Sequence, residues 1–400
     1  MNETLKTPDT EFHNPNVSTH ENLHESTQES IKKSRHEPSV TALKKWYKIY
    51  GSKAKPDSTQ TWDVIVVGSG MGGMSCAAAL AHFGKRVLLL EQHYMPGGFT
   101  HMFSRKGYTW DVGVHCVGQM SERQLPGRLI RWLSRNQIEF VPMGNVYETF
   151  HYPDGSTIRF PDRMSTFKQT LMDAFPAEKT AIEKYFEAVT AATRDARTFF
   201  LMRTFPRWID DLSTQFSLRT GLGKRHFSKN WWRKTTEEVL DSITTNEKLK
   251  AVLTSQWGYY GSTPSRSSFA LHALTVRHFW NGGYYPKDGA ASIALGLLPV
   301  IAEAGGETWV RASVREVLVE DGKAVGVRME DGTELRASSV VSAVGAKATV
   351  ERLLPETERE ARWARKISDL PQSLPHVCLH LGFEGDVLKA GATKSNQWFM

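Results

Sequence analysis

Apolar residues run without a break through "VIVV" and "VLLL", near residues 64–67 and 87–90. Such short runs fit strands covered on both faces, as in a parallel sheet. Between them lies "GSGMGGMSCAAALAHFGK", which predicts a tight turn over Gly68–Gly73 and a small-residue helix from about Met71 to Phe83. Gly84 stands where a glycine stops a helix. Further on, "FSRKGYTWDVGVHCVG" alternates with period two and reads as strand and bend. Residues 120–255 read mainly as helix, with one hairpin, "HYPDGSTIRFP", turning at Asp154-Gly155. A glycine loop and a helix follow in "NGGYYPKDGAASIALGLLPVIAEAGG", stopping at Gly305-Gly306. Alternating valines with turns at Asp321-Gly322 and Asp331-Gly332 then predict a three-strand meander. Near the end, "HVCLHLGF" has the alternation of a strand that needs partners.

These elements predict an α/β protein: a Rossmann-like nucleotide domain, parallel sheet plus β-meander, with an inserted, mainly helical domain for substrate or membrane. Residues 61–118 and 286–365 are assigned to the nucleotide domain and residues 119–285 and 366–400 to the second. Residues 1–60 are expected to be an extension, disordered up to about residue 38 and basic and aromatic thereafter.

The glycine turn carries the first chemistry. Gly68 permits the sharp exit from the strand, Gly70 and Gly72 leave backbone bare for a pyrophosphate, and Gly73 lets helix and sheet approach. The helix start then offers free amides to the phosphates. Glu91, 23 residues after Gly68, ends the second strand where a carboxylate accepts ribose hydroxyls, with Gln92 beside it. Both NAD and FAD fit this unit. Beyond it, Gly97 and Gly98 of "MPGG" give bare backbone to run beside an extended FAD. Backbone at Val314 is placed to cover adenine, and "SAVG", ending at Gly345, returns the chain to the cofactor. FAD is therefore the expected cofactor.

Composition narrows the setting. With 40% hydrophobic and 23% charged residues, and no apolar run near the ~18 residues of a spanning helix, a soluble globular protein is expected. The start lacks the apolar core of a signal peptide. Three cysteines with neither metal nor redox spacing suggest a reducing compartment. The expected location is cytoplasmic with peripheral membrane association. Residues 194–234 hold ten Lys/Arg against three Asp/Glu, matching the whole chain's net charge of +7, and eight Phe and Trp are interleaved with them. That pattern suits an anionic membrane surface, or a helical cap with buried aromatics, and no nucleic-acid partner is expected.

"GSGMGG", "LLLEQHYMPGG", "YTWDVGVHCVG", "YYGSTPSRSSFALHA", "GGYYPKDGAASIA" and "VVSAVG" together resemble the phytoene desaturase and carotenoid isomerase flavoproteins, and within them the retinol saturase branch. The likeness runs from about residue 62 to the end. It implies a non-covalent FAD and a long, apolar, conjugated isoprenoid substrate. It also implies a loop of Tyr285, Pro286 and Gly289 near the flavin, with Asp288 standing where a glycine is usual. The family's glycine-containing closing segment does not follow Gly345, so a longer natural protein is expected.

Saturation of a polyene bond needs a hydride, which flavin N5 supplies, and a proton. Desaturation is the reverse, isomerisation shares the same motifs, and a non-catalytic flavin or isoprenoid carrier stays open. NAD(P)H is the candidate external reductant. His115, at the end of "DVGVH", is the first candidate proton donor and Tyr285 the second. Tyr259, Tyr260 and Tyr284 are further candidate donors, with the lining of an apolar tunnel as the expected role of all four tyrosines. His376, Cys378 and His380 share one strand face, but without a fourth ligand no metal site is expected.

Overall fold

The computed structural model describes residues 40–202 and 231–400. A seven-stranded sheet forms its frame. Five strands, Lys48–Ile49, Glu307–Val310, Val87–Leu90, Thr61–Val67 and Glu334–Ser342, lie parallel in that order. Lys323–Met329 and Val314–Glu320 then extend the sheet antiparallel, as the expected meander. All four residues of Val87–Leu90 are buried, because helices cover one face and a second apolar cluster the other.

Helix Met71–His82 covers this sheet through Gly73, Met74, Ala77, Ala78 and Ala81. It ends in a Schellman turn: Gly84 sits at φ 71°, its N–H bonds the Ala81 carbonyl, and Lys85 N–H reaches back to Leu80. Helix Ala291–Glu303 packs beside it and ends the same way, with Gly305 bonding Ala302 and Gly306 bonding Ile301. Both glycine stops read from the sequence are thus made by one geometry.

A second body rests on two small sheets. Val146–His151 pairs antiparallel with Thr157–Pro161, as the expected hairpin, and parallel with Asn396–Phe399. Gly283–Pro286 lies between Val117–Gly118 and Phe140–Pro142. Helices Met164–Ala174, Lys179–Met202 and Phe269–His278 pack around these strands over a core that includes Phe150, Tyr185 and Phe269.

Three expectations need correction. The extension stops short of residue 60: Leu43 is fully buried among the helix-side core, and Lys48–Ile49 is an edge strand of the main sheet. Helix Leu125–Leu133 packs against Met71–His82, so Ile130, Leu133 and Ile138 join the nucleotide-side core although they follow residue 119. "HVCLHLGF" is not a strand. It has no backbone ladder, and Val377, Leu379 and Phe383 are exposed. It rests on the Met102–Arg105 and Tyr108–Asp111 hairpin by the Trp110 indole donating to the Leu381 carbonyl at 3.0 Å and by His380 on Phe103. Alternation alone did not supply a partner edge. The basic, aromatic stretch of residues 194–234 lies mostly outside the described residues, as does the tail to residue 39.

Candidate functional site

The parallel strands deliver their carboxyl ends to one edge, where ligands of open α/β sheets bind. The Gly68 N–H bonds Leu90 O at 2.8 Å, which sets the first turn beside the end of the second strand. Glu91, only 8% exposed, then ties three segments together. One carboxylate oxygen accepts from the Ser69 N–H at 2.9 Å and its hydroxyl at 2.7 Å, and the other accepts from His93 N–H at 2.8 Å. The second glycine turn docks on the same serine, with Gly97 N–H donating to Ser69 O and Oγ, both at 3.1 Å. Ser69 was not singled out from the sequence, although its place inside "GSGMGG" is the signal.

The glycines divide into two kinds. A Cβ on Gly73 would stand 1.9 Å from Gly68 O, one on Gly68 would be 2.9 Å from Val344 Cγ1, and one on Gly98 would be 2.9 Å from Gly70 Cα. Packing within the protein excludes a side chain at these three. Gly70 and Gly72 face open space, with nothing within 4 Å of a built Cβ, and no side chain caps the helix that starts there. Uncapped amides beside bare backbone are what a pyrophosphate requires, so the cradle fits a dinucleotide.

The remaining cofactor candidates gather at this edge. Ala312 N–H bonds Glu91 O at 2.8 Å, two residues before Val314 begins its strand. Ala343 N–H bonds Val67 O at 2.8 Å, which brings Gly345 alongside the first turn. Gln92 is exposed at the rim.

From the second glycine turn a contact path leads inward. Gly113 N–H donates to Phe99 O and Val112 N–H to His101 O, which lays "DVGVH" along the turn. Asp111 in that segment accepts from Ala290 N–H at 2.9 Å and from the Tyr285 hydroxyl, so it anchors the start of helix Ala291–Glu303 and the Tyr285 loop together. Burial raises its pKa. Asp288 has φ 66°, the left-handed backbone that explains why glycine suits that position.

His115 is open to solvent on one side and packs on Tyr259 on the other, ring centroids 4.8 Å apart. Its Nδ1 accepts the Cys116 N–H at 2.8 Å, and desolvation on the packed side lowers its pKa. The ring is therefore neutral at physiological pH, with its proton on Nε2, and is a poor acid. Tyr285 keeps its hydroxyl turned to Asp111 and the Val114 carbonyl.

Behind His115 lies a polar cluster of which the sequence pointed only to Tyr259. Glu148, fully buried on the Val146–His151 strand, accepts from the Tyr259 hydroxyl, from Gln256 Nε2 at 2.9 Å and from Trp398 Nε1 at 3.3 Å. The Tyr259 oxygen in turn lies 3.1 Å from Cys116 Sγ and 3.3 Å from Asn396 Nδ2. No ion pair to Glu148 occurs among the described residues. Burial raises its pKa to about 6 against the lowering by its hydrogen bonds. An acid flanked by Tyr147 and Thr149 in "VYETFH" was the available signal.

No cluster of metal-ligating side chains occurs among the described residues, including His376, Cys378 and His380. One cavity of about 650 Å³ has a mixed wall, with Ala188, Ala191, Trp231, Val239 and Ile243 beside Lys184, Glu187 and Lys234.

Residues 71–398 match the profile described as flavin containing amine oxidoreductase. The chain belongs to that family. An all-trans-retinol 13,14-reductase of Danio rerio is 33% identical over 344 residues, which cover 84% of this chain and 56% of that protein. A chloroplastic prolycopene isomerase of Daucus carota is 27% identical over 347 residues, 82% of this chain and 54% of that one. The chain spans about half the length of these relatives. An engineered putrescine oxidase superposes with a TM-score of 0.53 at 14% identity, over 76% of this chain and 62% of its own, and shares the fold. Membership implies a flavin, and the open, uncapped cradle at Gly70 and Gly72 agrees with one. No helix among the described residues is long and apolar enough to cross a membrane.

Proposed function

We propose that this chain is the cofactor-holding part of an FAD-dependent oxidoreductase that adds or removes hydrogen across a carbon–carbon double bond of a conjugated isoprenoid. The observation that carries the reading is the cradle itself, two glycine turns clamped by Glu91 through Ser69, in a chain similar to retinol reductases over most of its length. Bound FAD would supply hydride chemistry. The chain's own residues bind and orient. The amides from Gly70 to Gly73 take the pyrophosphate, Glu91 uses its remaining lone pairs for ribose, and backbone at Gln92, Gly97, Gly98, Val314 and Gly345 borders the rest. Asp111 and Tyr285 hold the loop at residues 286–289 against the "DVGVH" segment, where the polyene would meet the cofactor.

NAD(P)H is the reductant this reading assigns. Chain reconstituted with FAD, then reduced anaerobically and mixed with all-trans-retinol or a carotene, should regain oxidised-flavin absorbance as the polyene band falls. Flavin that stays reduced with every polyene would remove the reading. Similarity to a prolycopene isomerase supports a second reading, cis–trans isomerisation, which would change the polyene spectrum with no net oxidation of flavin. We also propose an anionic membrane surface as the site of work, supported by the basic and aromatic residues of 194–234. Salt-sensitive flotation with anionic liposomes should be seen, and its absence would leave those residues a packing role.

A further inference from the structure

Reduction of a carbon–carbon double bond delivers a hydride to one carbon and a proton to its neighbour, and neither first candidate is suited to give that proton. His115 is neutral with Nδ1 engaged, and the Asp111 that accepts from Tyr285 is also tied to the Ala290 backbone, so that pair serves to anchor the helix start. The cluster behind His115 has the parts of a donor. Tyr259 is half-buried against exposed His115, ring centroids 4.8 Å apart, and is boxed by Phe279 at 4.8 Å and Trp398 at 5.4 Å. Its oxygen faces Asn396 Nδ2, a donor to any charge left when its proton leaves, and the Cys116 sulfur. Burial and an ionised Glu148 hold the Tyr259 pKa well above the ordinary tyrosine value, so it can act only while Glu148 carries a proton. Burial pushes the Cys116 thiol up to about 12, so it stays protonated as a donor. Behind the hydroxyl stands Glu148.

A buried carboxylate held only by neutral donors is expensive to a fold unless it can take up a proton. Glu148 meets only neutral donors: a tyrosine, an amide and an indole. Its strand neighbour Tyr147 also accepts from Gln256 Nε2 rather than meeting a charge. The segments that build this cluster, near residues 116, 148, 256–259 and 396–398, are distant in sequence and meet only in the fold.

We propose that Tyr259 is the acid that protonates the polyene carbon, and that Glu148 is the positioning residue that resupplies its proton. The proposal rests on the double-bond reduction reading above. A C–H bond forms as the Tyr259 O–H bond breaks, and the Glu148 carboxyl proton passes to the Tyr259 oxygen along their hydrogen bond. The carboxylate left behind regains its proton from solvent before the next turnover. The electron pair for the neighbouring carbon arrives as hydride from reduced flavin, the reductant named by class. Protonated Glu148 donates to Tyr259 and frees the tyrosine proton, so the reaction should slow as pH rises through the Glu148 titration. The other titratable groups that face it, Tyr147, Tyr259 and Cys116, are all neutral in that range; burial lowers the pKa of His115 beyond them.

The test uses the full chain loaded with FAD, reduced anaerobically and mixed with all-trans-retinol in a stopped flow. Glu148→Gln and Tyr259→Phe should each slow flavin reoxidation about tenfold or more, on the scale of general-acid effects. Both should still bind FAD and be reduced as wild type is, and Glu148→Gln should lose the alkaline fall in rate. A readout independent of turnover is infrared titration of the chain without flavin. A carboxylic-acid carbonyl band should disappear as pH rises toward neutrality in wild type and be absent from Glu148→Gln. Wild type that turns over while both variants match it across pH overturns the relay, as does a Glu148 band that titrates in the ordinary carboxylate range. Wild type that binds flavin but passes no electrons to any polyene overturns the reduction reading, and the proton role with it. If Glu148→Gln does not fold, Tyr259→Phe and the wild-type titration decide.

Discussion

The glycine cradle and the Glu148 cluster lie along one contact path, yet they are built on opposite principles. The cradle is made of absence: bare backbone at Gly70 and Gly72, enclosed by neighbours that tolerate no Cβ at Gly68, Gly73 or Gly98. The cluster is made of presence: a fully buried acid satisfied by side chains drawn from two distant segments. The first gives a ligand a place. The second holds an acid whose proton burial favours. Their failure modes therefore differ, and each substitution below presses on one of them.

The largest effect is expected at Gly73→Ala. A Cβ 1.9 Å from a backbone oxygen has no flexible neighbour to yield, so stability should fall by about 3 kcal/mol or more, beyond ordinary overpacking. Chemical denaturation measures this, and a loss below about 1 kcal/mol would show that helix and turn can separate. Glu91→Ala comes next. It strands the Ser69 N–H and hydroxyl and the His93 N–H, and losing a charged acceptor costs about 1.5–3 kcal/mol per bond before relaxation and water recover part of it. Bound flavin, measured by visible absorbance after gel filtration, should fall with the melting temperature.

Glu148→Gln sharpens the contrast because its effect depends on pH. Burial lifts the folded-state pKa from 4.5 to about 6, so the folded protein holds this proton more tightly than the unfolded chain. The stabilisation is fully present below the unfolded value and is lost as pH rises through the folded one. Across that window wild type should lose about 2 kcal/mol relative to Glu148→Gln, from 1.36 kcal/mol per pKa unit. Urea melts of both proteins at pH 4 and pH 8 check the sign, and parallel pH dependence would remove the shifted acid. The smallest effect is at Asp288→Gly, which relieves a left-handed backbone at φ 66° and should stabilise by under about 1 kcal/mol, since aspartate tolerates that region better than most residues.

The same contrast explains what was legible in the sequence. The cradle is local, so Gly68 to Gly73, Glu91 and both helix stops were readable from spacing, and the structure brings them together. Local pattern did less well where a partner decides the outcome. "HVCLHLGF" alternates like a strand but finds no edge, and Lys48–Ile49, too short to register as a strand, joins the sheet because Glu307–Val310 offers one. Glu148 was invisible because its meaning lies in Gln256, Tyr259, Asn396 and Trp398, over 100 residues away.

The most direct test of the cradle is flavin retention by Gly70→Val beside wild type. A valine there fills the open space at the uncapped helix start and meets no protein atom within 4 Å of its Cβ. Wild type should hold FAD through gel filtration, while Gly70→Val loses it and melts only modestly below ligand-free wild type, the cost of replacing an N-cap glycine whose Cβ position is open. Gly70→Val that stays as yellow as wild type, or wild type that binds no flavin at all, would contradict the account.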